Sequence, residues 1–326
     1  MNPPVRLGLI GAGAIAATHA DAASRSNAIV LRAVCDSDVE RAATLGARVG
    51  AACYGSVMAM LDTEQLDGVV IATPPNTHAS LTRYAASRGV HVLCEKPFAP
   101  SIDAALSMIE AARANRTIVT MASKFRFVAD IRRAQEMMAN NGTGELLMIE
   151  NAFTSSVMMG NRWNSDPAVS GGGVIIDNGT HAVDIFRFLA GPLTNVSASE
   201  YRRYQKLGVE DTAMLFARCA NGAVATSDLS WTIDKRSPYY LRLHCENATI
   251  ELGWKHSRVQ YKGDADWTTF GSGYSKLDAF VGLLENFADA TAGRSRAAVS
   301  EEDALASVIA IDEAYRSLDI RKVAWA

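Results

Sequence analysis

The chain has 326 residues, of which 48% are hydrophobic and 21% charged, with 24 glycines and a formal net charge of -3. That length exceeds one ordinary core and suits two domains, and the composition excludes a disordered or low-complexity chain. Without a run of Lys or Arg there is no electrostatic footprint for nucleic acid or an anionic membrane, so the expected partner is a small molecule.

From Val5 to Ala122 short apolar runs alternate with amphipathic stretches, the pattern of repeated βα units. Strands are predicted over Val5–Ile10, Ile29–Cys35, Gly68–Ala72, His91–Cys94 and Thr117–Ala122. Helices are predicted over Thr77–Arg88, with Asn76 as N-cap, and over Ile102–Asn115, with Ser101 as N-cap. Strands joined by helical crossovers make a doubly wound parallel sheet. Beyond Ala122 the rhythm changes. A helix over Asp130–Met138 ends at Asn140, Asn141 and Gly142 and leads to a long strand, Glu145–Phe153. A helix over Asp177–Leu189 is closed by Gly191 and Pro192. The runs Val196–Tyr204, Ala213–Arg218, Ala223–Leu229, Tyr240–Cys245, Thr249–Leu252 and Val259–Tyr261 then read as one mostly antiparallel sheet. Late helices are expected over Leu277–Ala292 and Glu301–Leu318, the second opened by Ser300 and Asp303 in a near capping box.

Apolar residues begin at Val5 and are interrupted by Gly11 and Gly13, which is neither a leader pattern nor a membrane span. A cytoplasmic location is expected. Cys35, Cys53, Cys94, Cys219 and Cys245 show no paired or metal-like spacing, so they are expected reduced and mostly buried, with no disulfide and no metal site.

The first strand runs into Gly11-Ala12-Gly13-Ala14-Ile15-Ala16, the G-x-G-x-x-G/A form of the dinucleotide fingerprint. Gly11 permits the tight turn, Gly13 admits a pyrophosphate, and Ala16 allows close packing of helix on strand. Alone, such a turn is as readily a simple turn. Asp36 ends the second strand about twenty residues on, where a carboxylate accepts the adenosine ribose hydroxyls, and that order of elements points to NAD. Ser37 and Arg41 follow it and leave NADP as the alternative. The expected class is therefore α/β: a Rossmann domain over residues 1–123, then an α+β domain over 124–326 on a mostly antiparallel open-faced sheet, onto whose predecessor the late helices could pack back.

Two more loops fall at the carboxyl ends of predicted parallel strands, where open α/β sheets bind ligands. One carries Thr73, Pro74, Asn76 and His78, the other Glu95, Lys96 and Pro97. On residue type alone they read rather as Pro-punctuated turns with a solvated Lys.

GAGAIA, ATPPNTHA, CEKP and GGGVIIDNGTHAVD, in this order, resemble the glucose–fructose oxidoreductase/inositol dehydrogenase/rhizopine-catabolism family over essentially the whole chain. The resemblance implies that Lys96, Asp177 and His181 line the catalytic site beside the nicotinamide. Asp177 and His181 are four apart, a spacing that puts both on one face of a helix. A His beside a carboxylate suits proton abstraction from an alcohol, and a Lys suits the developing oxyanion. The plainer alternative is a helix-capping Asp and a satisfied buried His. By the same resemblance Lys124 and Arg126 help line the active-site cleft; Asn178 is a further candidate substrate contact, and Arg162 and Trp163, just before the glycine triplet, are candidates to close over nicotinamide or substrate, or equally a surface Arg beside a half-buried Trp. The implied activity is hydride transfer between NAD, or NADP, and a secondary alcohol or ketone of a sugar, cyclitol or polyol, in a homodimer or homotetramer. Two alternatives stand beside it: a glycoside-cleaving enzyme that oxidises its substrate transiently, and a non-catalytic ligand sensor on the same fold.

Overall fold

The computed structural model describes residues 3–140 and 142–324, with side chains as far as 318; Asn141, expected in the turn after the first helix beyond residue 124, lies outside the described residues. The chain forms two compact units, one taking residues up to Lys124 together with Lys276–Val308, the other Phe125–Ser275 and the residues from Ile309 onward.

Unit 1 runs β1 (Val5–Ile10), α1 (Ala14–Ala23), β2 (Ile29–Cys35), α2 (Val39–Val49), β3 (Ala52–Tyr54), α3 (Val57–Thr63), β4 (Gly68–Ile71), α4 (His78–Ser87), β5 (His91–Cys94), α5 (Ile102–Ala114) and β6 (Val119–Met121). The six strands are all parallel in the order β3-β2-β1-β4-β5-β6, with the chain reversing on either side of β1. The central strands are buried almost end to end, as strands covered on both faces must be. Sequence reading passes over β3 because three residues are too few to show a period. Ser101 caps α5 as expected, accepting the Ala104 amide hydrogen. Asn76 does not cap α4: Pro75–Thr77 form a 3-10 turn that flows into the helix, so Asn76 lies inside the helical segment instead of before it.

Unit 2 contains α6 (Ala129–Ala139), β7 (Leu146–Thr154), α7 (Pro167–Ser170), α8 (Val174–Ala190), β8 (Leu193–Glu200), β9 (Thr212–Cys219), β10 (Val224–Ser230), β11 (Tyr239–Cys245), β12 (Ala248–Gly253), β13 (Ser257–Tyr261) and β14 (Thr268–Gly271). These strands form one sheet in the order β14-β13-β12-β11-β7-β10-β9-β8. Every pairing is antiparallel except β7 with β10, where Met148 faces Val224 and Thr154 faces Ser230 in parallel register. α8 packs on this sheet through Gly179, where an added Cβ would stand 3.0 Å from Leu215 and 3.2 Å from Leu229. β8 begins at Leu193, directly after the Gly191-Pro192 turn, and not at Val196.

The chain re-enters unit 1 with α9 (Lys276–Thr291), and α10 (Glu301–Ala324) begins there and continues into unit 2. The capping box at the start of α10 is realised: Asp303 N–H donates to Ser300 Oγ at 3.1 Å and Ser300 N–H to Asp303 Oδ2 at 3.3 Å. No helix among the described residues is long and apolar enough to cross a membrane.

Candidate functional site

In unit 1 the glycine turn has two glycines with different reasons. Gly11 has φ +99, and a Cβ there would stand 2.7 Å from the Ala72 carbonyl oxygen, so the close approach of the loop after β4 requires it. Gly13 has an ordinary negative φ, and a Cβ there meets nothing of the protein within 4 Å. No internal packing requires a glycine at 13. Gly13 opens α1, whose first turn carries no acidic residue and no side-chain cap, which leaves its amides and positive dipole end for an anion. Asp36, at the end of β2, accepts the Ala12 amide hydrogen on Oδ2 at 2.7 Å and the Asp38 amide hydrogen on Oδ1 at 2.9 Å. Its carboxylate is thereby aimed, with lone pairs remaining on both oxygens for ribose hydroxyls. The space above Gly13, the uncapped amides and the fixed acid fit a dinucleotide. Ala14 is exposed and Ile15 half-buried at the start of α1. Ser37 is exposed, and Arg41 reaches Asp38, Nε to Oδ2 at 3.0 Å.

Among the loop residues at the carboxyl edge, Thr73 and Pro74 are half-buried and Asn76 is exposed, so they are open to a ligand. Thr73 shares a 2.7 Å hydroxyl bond with Thr77. His78 is placed differently from the expectation of a cofactor contact. It is 0% exposed, with Nε2 2.9 Å from the Thr73 carbonyl and Nδ1 3.1 and 3.2 Å from the carbonyls of Pro97 and Phe98. Its ring ties the two loops together from behind, and burial, despite those carbonyls, holds its pKa below the ordinary histidine value. Glu95 and Pro97 are likewise turned inward, while Lys96 between them is half-buried. Glu95 meets His19 of α1, Oε1 to Nε2 at 2.7 Å, a pairing 76 residues apart that no sequence spacing signals. Lys124 also belongs to unit 1, with Nζ 5.9 Å from the centre of the Phe280 ring.

In unit 2, α8 starts at Val174, three residues before Asp177, so Asp177 lies in the first turn and not at the cap. His181 follows one turn later on the same face. Its ring lies edge-on to Phe125 at 5.1 Å and to Phe153 at 6.2 Å, which gives the imidazole an apolar flank. Asn178 donates Nδ2–H to the Phe153 carbonyl at 3.3 Å, so that part of its side chain anchors α8 to β7. The glycines before α8 are close-packed: a Cβ at Gly173 would overlap the Glu210 carbonyl oxygen, and one at Gly172 the Tyr315 hydroxyl. Glu210 and Tyr315, which sequence reading misses, set the position of this helix end. Arg162 and Trp163 are both exposed, in a 3-10 turn and its lead-in.

Arg126, a candidate substrate contact, is turned inward. Its guanidinium is buried and forks onto the Asp184 carboxylate, with Nη2 2.8 Å from Oδ1 and Nε 3.0 and 3.1 Å from the two oxygens. Once out of water, a guanidinium needs that partner, and Nε and Nη2 both donate to it.

Residues 5–123 match the model of an oxidoreductase family with an NAD-binding Rossmann fold, and residues 131–251 match the C-terminal domain model of the same GFO/IDH/MocA family. The chain is 27% identical to the rhizopine catabolism protein MocA of Rhizobium meliloti over 96% of its own length and 95% of that protein. It is 28% identical to inositol 2-dehydrogenase 4 of Saccharopolyspora erythraea, over 82% of this chain and 76% of the other. Levoglucosan dehydrogenase, solved with NADH and levoglucosan, shares the fold with a TM-score of 0.90 at 21% identity, covering 97% of both chains. With two domain models of one family matched in order, and a relative aligned nearly end to end, the chain belongs to the GFO/IDH/MocA oxidoreductase family, and its N-terminal part is that family's NAD-binding Rossmann fold.

Proposed function

We propose that this chain is a dehydrogenase that interconverts a secondary alcohol and a ketone on a sugar, cyclitol or related polyol, with NAD as its cofactor. The substrate class is supported by the relatives, one named for inositol and one solved with levoglucosan. The observation that carries the chemistry is Asp177 and His181 one turn apart on α8, in a chain whose other unit is an NAD-binding fold.

Lys96, Asp177 and His181 are the catalytic set. NAD, when bound, supplies the acceptor for the hydride that leaves the carbinol carbon. His181 takes the proton from the hydroxyl of that carbon, and Asp177 supports the imidazolium that results and holds a substrate hydroxyl. Lys96 donates a hydrogen bond to the reacting oxygen and stabilises its developing negative charge. Thr73, Pro74, Asn76 and the amides after Gly13 hold the dinucleotide. Lys124, Arg162 and Trp163 are the substrate contacts to test, with Arg126, His78, Glu95 and Pro97 acting as supports. The aimed Asp36 carboxylate would face the extra 2′-phosphate of NADP, which favours NAD. The reading includes a homodimer or homotetramer in the cytoplasm, by resemblance to the family.

The test is a panel of cyclitols, aldoses, anhydrosugars and glycosides, followed by formation of NADH or NADPH. One NADH per substrate oxidised, with higher kcat/KM for NAD than for NADP, is the expected result. Bond cleavage without net NADH, or binding without turnover across the panel, would overturn it.

A further inference from the structure

The parallel pairing of β7 with β10 ends at Thr154 and Ser230. Two backbone hydrogen bonds extend it, from Ser155 N–H to the Ser230 carbonyl at 3.0 Å and from Val157 N–H to the Trp231 carbonyl at 2.8 Å. The next rung is made by a side chain from the connection between β8 and β9. Gln205 Nε2–H donates to the Val157 carbonyl at 2.9 Å, and Gln205 Oε1 accepts the Met159 amide hydrogen at 2.9 Å. A carbonyl and an N–H two residues apart are the pair that one residue of a parallel neighbour serves, so the Gln205 amide acts as a one-residue strand. Nε2 also lies 3.1 Å from the Trp231 carbonyl and 3.2 Å from the Thr232 hydroxyl, acceptors for its second hydrogen.

Gln205 is itself held. Its backbone N–H donates at 2.8 Å to Oδ2 of Asp211, a residue that is 0% exposed. Lys206, next in sequence, has φ +53, a left-handed conformation that a Lys keeps only where its surroundings impose it. Midway along the connection, a Cβ at Gly208 would stand 3.6 Å from Pro167 Cδ and 3.9 Å from the Ser165 carbonyl oxygen. Glu210, just before Asp211, caps the start of α8 through its carboxylate and its carbonyl. Residues 205–211 therefore hold the helix of Asp177 and His181 at one end. At the other they hold the loop in which Arg162 N–H donates to the Met159 carbonyl at 2.9 Å and Trp163 follows.

We propose that Gln205 is a positioning residue for substrate: its side-chain amide fixes the loop of Arg162 and Trp163 relative to α8. This deepens the dehydrogenase reading and rests on Arg162 and Trp163 as substrate contacts. Both side chains are exposed, so only their backbone can be held in advance, and a sugar with several similar hydroxyls needs its contacts in one geometry. The ties of α8 run through Glu210 and not through the Gln205 amide. Loss of that amide should therefore weaken substrate binding and leave the chemical step nearly intact.

Gln205→Met keeps the length of the side chain and removes the amide. Hydrogen exchange read by mass spectrometry on the full-length protein, without ligand, should become about two- to tenfold faster over residues 155–166, the scale of one hydrogen bond's net contribution. Exchange over residues 174–190 of α8 should not change. On a substrate from the panel, KM should rise about three- to tenfold with kcat within about twofold of wild type. In an Arg162→Ala/Trp163→Ala background the same substitution should raise KM little further, because the contacts it positions are gone. Unchanged exchange over residues 155–166, faster exchange in α8 as well, an unchanged KM, or an equal rise in KM in that background overturns the proposal. If Gln205→Met does not fold, Gln205→Glu takes the same measurements, since it keeps the shape and puts an oxygen where the donor faces the Val157 and Trp231 carbonyls. Failure of the dehydrogenase reading is a separate result, seen in the wild type as no turnover on the panel, whereas failure of this role is seen only in the variant against the wild type.

Discussion

Tyr315 donates its hydroxyl to Glu210 Oε1 at 2.8 Å, and the same oxygen takes the amide hydrogens of Gly173 and Ile175 at 3.1 and 2.9 Å. The Glu210 carbonyl adds a fourth tie, accepting the Val174 amide hydrogen at 2.9 Å. A residue 37 positions away in sequence thus caps the helix that carries Asp177 and His181, where Gly173 itself offers no side chain. The glycine is forced by that contact, because a Cβ would overlap backbone that cannot rotate away. Gly173→Ala should cost about 2–3 kcal/mol or more. Chemical denaturation reads it, and an unchanged midpoint would show that the helix end shifts freely.

Glu210 also makes stability depend on pH. Burial raises its pKa above the ordinary glutamate value, and the hydrogen bonds from Ile175, Tyr315 and Gly173 recover only part of that. A carboxyl whose folded-state pKa lies above its unfolded value binds its proton more tightly when folded. Its contribution is therefore fully present below the unfolded value and is lost as pH rises through the raised folded value. Unfolding free energies measured from about pH 4 to about pH 8 should show this loss in the wild type, and Glu210→Gln should remove that part of the slope. Parallel curves for the two proteins would refute it.

Gly11 and Gly13 should separate folding from binding. Gly11→Ala places a Cβ at φ +99 and 2.7 Å from the Ala72 carbonyl, and should destabilise unit 1 by about 1–3 kcal/mol. At Gly13 an added Cβ meets nothing of the protein within 4 Å, so in Gly13→Val the melting temperature should stay near wild type while dinucleotide affinity falls at least about tenfold, the added bulk holding pyrophosphate off the α1 amides. Calorimetric titration of NAD into both variants decides it. Wild-type affinity in Gly13→Val would mean that the turn does not hold the pyrophosphate.

Arg126 and Asp184 are expected to matter for stability, not recognition. Removing one partner leaves the other charge buried, so Arg126→Met or Asp184→Leu alone should cost about 3–5 kcal/mol. The double variant should recover a large part of that, because no lone charge remains. A raised KM with unchanged stability in Arg126→Met would restore Arg126 to the substrate site.

Strand, glycine turn, helix, strand and acid are legible in unit 1 because each is a local signal: Gly11 has the positive φ of a tight turn, and Asp36 directly follows β2. The Asp177–His181 spacing is local too. What sequence reading misses is non-local. His19 with Glu95, Glu210 with Gly173 and Arg126 with Asp184 are separated by 76, 37 and 58 residues, and no period or propensity links them. Arg126 reads as a ligand contact because an Arg near a domain crossover carries no mark of burial until Asp184 is seen beside it. The three residues of β3 escape for another reason, since an edge strand that short has no alternation to read.

Lys96 and His181 are expected to work on one oxygen, the first stabilising its charge and the second accepting its proton, and their losses should therefore not add. Either Lys96→Met or His181→Ala should slow single-turnover hydride transfer about a hundredfold or more, the usual scale for losing a positioned acid–base or electrostatic group. The double variant should fall by much less than the product of the two, because an oxygen that no longer loses its proton has little charge for Lys96 to stabilise. His181→Ala should leave NAD affinity near wild type, whereas Lys96→Met, at the carboxyl edge of β5 in the dinucleotide-binding unit, should weaken it as well. Rates of transfer and NAD affinities measured separately on purified, folded variants keep chemistry apart from binding. Near-normal transfer by His181→Ala across neutral pH would remove this residue from the mechanism and leave Lys96 as the first candidate for the base.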